Sequence, residues 1–305
     1  MKKEFYSNGK LLITGEYLVL DGAMAFALPT KFGQNLIIES GSNKEIKWKS
    51  YDSNGSVWFE DRFLFSEISN TEKLEKTNSE RDTLLEILHE AFKLNPDFIK
   101  KSEGFLVTTH LTFPRFWGLG TSSTLINNVA QWSQVDAFEL LQNSFGGSGY
   151  DIACAQNKSP ILYRLENGKP IVEKINFTPE FTQNIYFVYL EKKQSSKEAI
   201  ASYYNNKPKN LEKIISENEE ITLMIIGAKT TETFSLAIEK HESELSKILK
   251  MQTVKEYLFP DFDGVIKSLG AWGGDFVMAI SNENPTDYFL EKGYETVIPY
   301  EEMIL

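Results

Sequence analysis

A single cysteine, Cys154, in 305 residues excludes an internal disulfide framework and fits a reducing cytosol. A basic excess is missing as well. The chain has 32 Lys and Arg against 43 Asp and Glu, a formal charge of -11, which argues against nucleic acid as the main partner. A small phosphorylated ligand is not excluded, because a few local donors hold one inside an acidic protein. No apolar run reaches membrane length. The opening stretch "MKKEFYSNGKLLITGEYLVL" is interrupted by Asn8, Gly9, Lys10, Gly15 and Glu16, so it reads as neither signal peptide nor membrane span. The three histidines, His89, His110 and His241, stand far apart without metal-ligand spacing. Repeats and low-complexity segments are also absent. What is left is a cytoplasmic chain of one large or two ordinary domains, 41% hydrophobic and able to bury a core.

Along the chain, "KLLITGEYLVL" predicts strand, turn, strand, and "AMAFALPTKFGQNLIIES" continues as strand. "KEIKWKSYDSNGSVWFEDRFLF" reads as a hairpin turning at Asn54-Gly55, and "SPILYRLENGKPIVEKINF" as another turning at Asn167-Gly168. Leu84, Leu85, Leu88, Phe92 and Leu94 recur at helical spacing. "GFLVTTHLTF" alternates like a strand. Helices are expected from the Gly-Thr-Ser stretch to about Val135, over "DAFELLQNSF", after Ser195-Ser196, and from Lys209 to Lys250 with a break at Gly227. "IYFVYL" reads as a buried strand, "GVIKSLGAWGGDFVMAIS" as helix end, glycine turn and strand, and "TDYFLEKG" and "TVIPY" as helix and strand. The order implies two α+β halves meeting near residue 180.

Four motifs carry chemistry. In "GLGTSS", Gly118 and Gly120 free the backbone to turn its N–H groups into one concavity, and the helix that follows adds unpaired N–H groups and the positive end of its dipole. Thr121, Ser122 and Ser123 add hydroxyls. No lysine follows, so this is not the phosphate loop of the nucleotide triphosphatases. A capped helix after a glycine turn is the plain structural alternative. In "GGSGYDIA", Asp151 is placed to take a proton from a hydroxyl, or else simply to cap the next helix. In "GKLLITGEY", Lys10 suits a transferring phosphoryl group or a neighbouring carboxylate, with Glu16 on the same motif; a lone solvated lysine is the alternative. In "KSLGAWGGD", Gly270, Gly273 and Gly274 permit close backbone approach to a ligand or a neighbouring turn, with Trp272 as core or lid. Phe113, Phe116 and Trp117 suit either a pocket lining or the core, and Cys154 a small buried thiol.

Taken together and in this order, the four motifs resemble the signatures of the GHMP kinases, the family of galactokinase, homoserine kinase, mevalonate kinase and phosphomevalonate kinase. The resemblance runs from Lys10 to Asp275, and "GYDIA" looks like a bacterial subgroup. It implies an α+β, two-domain fold: a ribosomal protein S5 domain 2-like half, residues 1–178, that binds ATP, and a ferredoxin-like half, residues 179–305. It also implies ATP and Mg2+ as cofactors and a small-molecule substrate, and it leaves a homodimer open. By the resemblance, Gly118, Gly120, Thr121, Ser122 and Ser123 cradle the ATP phosphates, with Ser122 on Mg2+. Asp151 falls on the catalytic aspartate, Lys10 on its partner and Glu16 on the acidic residue of the first motif. Gly270, Ala271, Gly273 and Gly274 match the loop that closes over the site. The motifs look more like phosphomevalonate kinases than galactokinases, so a mevalonate-pathway kinase is expected, with a homoserine or sugar kinase or a non-catalytic binding protein as alternatives. Departures stand at Asn8 for the usual Pro, Leu269 for Ser or Thr, and Trp272 for Gly. Leu140 stands where mevalonate kinases carry a Mg2+-binding Glu, and the adjacent Glu139 points about 100° away on a helix.

Overall fold

A computed structural model describes residues 2–70, 79–192, 203–205, 207, 209–270, 272 and 274–305. The chain forms two discontinuous compact units: Met1–Gly9, Phe32–Arg115 and Leu119–Gln156 make the first, and Lys10–Lys31, Phe116–Gly118 and Asn157–Leu305 the second. Strands β1 (Lys3–Thr14) and β2 (Ala25–Ser40) pair with each other and contribute residues to both.

In the first unit, β3 (Glu45–Tyr51) and β4 (Val57–Leu64) form the expected hairpin, with Gly55 at φ 79 in the turn. β5 (Phe105–Leu111) pairs with β3 in parallel and with Gln34–Ser40 of β2 antiparallel. A parallel pair needs a long crossover. Here β4, α1 (Phe65–Ile68), α2 (Glu80–Leu94) and α3 (Asp97–Lys100) lie between its strands. Ser79 starts α2 by accepting from Asp82 N, and Leu84, Leu85, Leu88 and Ala91 point inward. They meet Leu36, Trp48 and Phe63 of the sheet and Ile126 and Val129 of α4 (Thr121–Ser133). Helices α5 (Ala137–Ser144), capped by Asp136, and α6 (Tyr150–Gln156) complete the layer.

In the second unit, Ala25–Ala27 of β2 pairs with β6 (Ile161–Glu166), which forms a hairpin with β7 (Lys169–Lys174). Asn167 and Gly168 both take positive φ, 52 and 74, as a two-residue hairpin turn demands. A four-stranded antiparallel sheet has the order β11 (Val297–Pro299), β8 (Ile185–Tyr189), β10 (Phe276–Ile280), β9 (Val265–Leu269). Helices α7 (Leu211–Gly227) and α8 (Thr231–Leu249) pack together. Shorter helices α9 (Val254–Leu258), α10 (Thr286–Glu291) and α11 (Tyr300–Met303) follow. The break at Gly227 falls as expected, because Thr230 caps the next helix.

Two expectations are corrected. "LVLD" is a 3-10 helix, Leu18–Asp21, and not a strand, because positive φ at Gly15, Tyr17 and Gly22 coils the backbone and turns Leu18 and Val19 inward. "VIKSL" is strand β9 and not a helix end, since all five residues are buried and pair in register with β10. Most of the helix expected after Ser195-Ser196 lies outside the described residues; of it, Tyr203 and Tyr204 are described and are helical. Among the described residues no helix is long and apolar enough to cross a membrane.

Candidate active site

The glycine turn opens α4 without a side-chain cap. Gly118 has φ 68, and Gly120, at the N-cap, has φ 100. No side chain caps the helix and its first turn holds no acidic residue, so the positive end of the dipole is uncompensated there. The first intrahelical bond, Thr124 N to Gly120 O, is 2.9 Å. Three hydroxyls of the stretch are spent on protein acceptors: Thr121 on Arg115 O at 3.4 Å, Ser123 on Gly120 O at 2.9 Å and Thr124 on Gln34 Oε1 at 2.9 Å. Ser122 is exposed, and its hydroxyl bonds to no described residue. The helix is pinned from behind. Asn128 donates to Gln34 O at 2.9 Å and accepts from Ser7 Oγ at 2.8 Å, and Asn127 donates to Ser7 Oγ at 2.8 Å. An open helix start, fixed in place and showing one free hydroxyl, suits an anion with an accompanying cation.

Asp151 stands on α6, which packs against α4 in the same unit and is tied to it by Gln156 Nε2 donating to Asn127 Oδ1 at 3.0 Å. Gly146, Gly147 and Gly149, all at positive φ, lead into this helix. Asp151 is inside the helix and not its N-cap, half-buried, with Oδ1 accepting from Ile152 N at 3.1 Å. Ile152, Ala153 and Cys154 are fully buried and hold its backbone, which makes Cys154 a packing residue.

Lys10 reaches the glycine turn directly: its Nζ donates to Gly118 O at 3.0 Å. The C-terminal glycine segment reaches it as well. A Cβ on Gly118 would lie 2.2 Å from Asp275 Oδ2, so only glycine leaves room for that carboxylate. Lys10, Gly118 and Asp275 all belong to the second unit. Gly270 has φ 76 and Gly274 is buried, whereas Ala271 and Gly273 lie outside the described residues. Leu269 and Trp272 are core residues, 1% and 6% exposed. Trp272 N donates to Tyr17 Oη and its Nε1 to Gln252 O, both at 3.0 Å, and the indole packs among Tyr17, Leu18, Tyr203 and Leu245.

Glu16 is buried in an ion cluster. Lys267 Nζ donates to Glu16 Oε1 at 2.6 Å, to Glu242 Oε1 at 3.0 Å and to Ser268 O at 2.8 Å, and His241 Nε2 lies 3.4 Å from Glu16 Oε2. Burial drives the Glu16 carboxyl up to about 7 against the pull of Lys267, and it raises Glu242 too. Burial draws the Lys267 ammonium down, but its two carboxylates more than offset this and leave it raised. Burial, and then Lys267, holds His241 far below its ordinary value, so its ring is neutral. The sequence reading missed Lys267 and Glu242. The one available signal was a lysine inside the otherwise uncharged run "VIKSL".

Other candidates settle into structural places. Leu140 is fully buried and Glu139 exposed, so no carboxylate faces inward from α5 there. Among the described residues no group of three or more His, Cys, Asp or Glu side chains converges on a metal site. His89 Nδ1 bonds to Ile68 O at 2.8 Å, and His110 stacks on Tyr51. Phe113 is core. Trp117 packs edge-on against Phe276, while Phe116 is 49% exposed.

Scans against protein-family models and against curated proteins find no match. Solved structures do match over nearly the whole chain. The Methanococcus jannaschii mevalonate kinase aligns at TM-score 0.71 and 18% identity, over 98% of this chain and 97% of its own. Streptococcus pneumoniae phosphomevalonate kinase, in complex with phosphomevalonate and AMPPNP, aligns at 0.68 and 17%, over 95% of each. Lactococcus lactis galactokinase, complexed with galactose, aligns at 0.71 and 14%, over 98% and 92%. The chain therefore has the α+β fold of the GHMP kinases, as the motif resemblance implied.

Proposed function

We propose that this chain is a cytoplasmic, ATP-dependent phosphotransferase acting on a small alcohol or phosphate of the mevalonate pathway, either mevalonate or phosphomevalonate. The observation that carries the reading is the uncapped start of α4, with an exposed Ser122 beside two left-handed glycines, on a helix packed against the one that bears Asp151. We assign ATP binding to residues 1–178 and loop closure over the nucleotide to residues 179–305. Backbone N–H groups from Gly118 to Ser123 hold and orient the phosphates. The Ser122 hydroxyl is the ligand for Mg2+, which when bound neutralises phosphate charge. With an alcohol acceptor, Asp151 takes the proton of the hydroxyl or orients that hydroxyl as its oxygen bonds to the γ-phosphorus and ADP leaves; with a phosphate acceptor the attacking oxygen is already ionised and gives Asp151 no proton. Lys10, already fixed on Gly118 O, offsets the negative charge that builds during transfer. Gly270, Ala271, Gly273 and Gly274 form the closing loop, and Glu16 anchors the first motif through Lys267. Catalysis of this kind is positioning and electrostatics rather than covalent chemistry.

A second reading is a nucleotide- or metabolite-binding protein without turnover. It is favoured by the buried Leu140 in place of an acidic ligand and by the packed Trp272. ADP release over mevalonate, phosphomevalonate, homoserine, galactose and a heptose phosphate separates the two. Turnover on either of the first two supports the proposal, and turnover on homoserine or a sugar alone moves the substrate class. Bound ATP with no turnover on any of them supports the binding protein. In the active case, Asp151→Asn abolishes turnover and leaves ATP affinity within about twofold, since the phosphates are held elsewhere. Full activity in that variant removes Asp151 from the mechanism.

A further inference from the structure

The second unit contains a cavity that shares no residue with the glycine turn, Lys10 or Asp151. Its volume is about 430 Å3, within the size range of small-molecule sites. It lies along α7 and α8, and Lys207, Lys209 and Asn210 line one side. The inner wall is mostly apolar: Leu18, Ile221 and Leu245 are each 2–3% exposed and all face it, and the one buried amide among them, Asn218, donates to Met24 O at 3.0 Å. The neutral ring of His241 completes that wall, so no charge is added at depth.

The polar rim has a different character. Lys207, Lys209, Lys247 and Lys250 stand there against two glutamates, Glu217 and Glu244, in a chain whose formal charge is -11. Lys247 is paired with Glu244 at 2.7 Å, and Lys207 with Asp21. Lys209 and Lys250 are exposed, and neither forms a salt bridge with a described residue. Two uncommitted ammonium groups at the mouth of an apolar recess select one ligand chemistry. The anionic head is met by the lysines and the hydrocarbon body by the isoleucine and leucine wall.

We infer that this cavity is a second ligand site, for a small amphiphilic organic anion: a short hydrocarbon chain ending in a phosphate or carboxylate. Its function does not depend on phosphotransfer, and it is tested on the full chain by binding alone.

The probe is hexyl phosphate, titrated calorimetrically, with inorganic phosphate and hexanol as arms that carry only the head or only the body. The expected result is saturable binding of hexyl phosphate at one site, at least about tenfold tighter than either arm, because each half removes one source of affinity. The double variant Lys209→Gln/Lys250→Gln weakens it about fivefold to tenfold, as loss of two exposed charges allows, and flattens its salt dependence. Asn210→Trp, on the exposed rim, blocks the cavity and abolishes binding. In all variants MgATP affinity, measured separately, stays as in the parent. Hexyl phosphate that fails to bind at 10 mM (on the order of the weakest useful affinity) overturns the inference. So does hexyl phosphate that binds both variants as it binds the parent, or that competes with ATP. None of these outcomes bears on whether the chain transfers phosphate.

Discussion

Replacing Lys267 by Met tests how the first motif is held. The lysine is fully buried in the middle of β9, with its ammonium on Glu16, Glu242 and the Ser268 carbonyl. Met fills nearly the same volume, so packing changes little and the charge is what is lost. Two buried carboxylates then face each other without their cation. Breaking a buried pair in this way costs about 3–5 kcal/mol. The cost depends on pH. The Glu16 carboxyl is raised from 4.5 to about 7 in the folded chain, so the folded state holds a proton that the unfolded chain has released. Its contribution to stability is therefore full below pH 4.5 and is lost as pH rises through about 7. Removing Lys267 takes away the group that lowers this value, which pushes the loss further upward in pH. At pH 8.5 the variant is expected to lose the full ~3–5 kcal/mol. At pH 5.5, where Glu16 is protonated in both proteins, the loss falls by about 2 kcal/mol, to about 1–3 kcal/mol, since the roughly 1.5 pH units between its value of about 7 and pH 8.5 are worth about 1.4 kcal/mol each. Urea unfolding followed by tryptophan fluorescence at the two pH values measures the difference. An equal loss at both would refute the reasoning, because it would mean that the cluster contributes packing and not charge.

Gly118→Ala places a Cβ 2.2 Å from Asp275 Oδ2 at a φ of 68, so it should cost about 1–2 kcal/mol from the backbone alone and weaken ATP binding as the turn shifts. Unchanged ATP affinity by calorimetry would detach this turn from the nucleotide. Tyr17→Phe removes the acceptor for the buried Trp272 N–H and should destabilise the second unit by about 1–3 kcal/mol, read as a lower urea midpoint. Asn128→Ala strips Gln34 O and Ser7 Oγ of a partner and should cost about 3 kcal/mol. ATP affinity should drop with it, because α4 loses its anchor. A fully stable variant that still binds ATP normally would show that the helix is held by its apolar face alone.

Local chemistry was legible in the sequence. Asn-Gly pairs forecast both hairpins, and leucine spacing marked α2. Two glycines followed by hydroxyl residues marked the start of α4. Each of these signals acts over a few residues, through φ preference, capping or the 3.6-residue period, so a linear reading captures it. "VIKSL" and "LVLD" were misread because runs of about five residues satisfy more than one period. β10 made the first a strand by pairing with it, and positive φ at Gly15 and Tyr17 coiled the second.

The sequence by itself also determined the kinase-like motif set and its order, because each motif depends on its own residue types. Only the tertiary structure decided what those motifs touch. Glu16 and Lys267 are 251 positions apart and yet form one buried ion pair. Gly118 leaves its space to Asp275, and Trp272 turns inward onto Tyr17. No local preference encodes such meetings. They follow from the burial of apolar surface, which brings distant segments together and leaves each trapped polar group to find whatever partner the packing supplies.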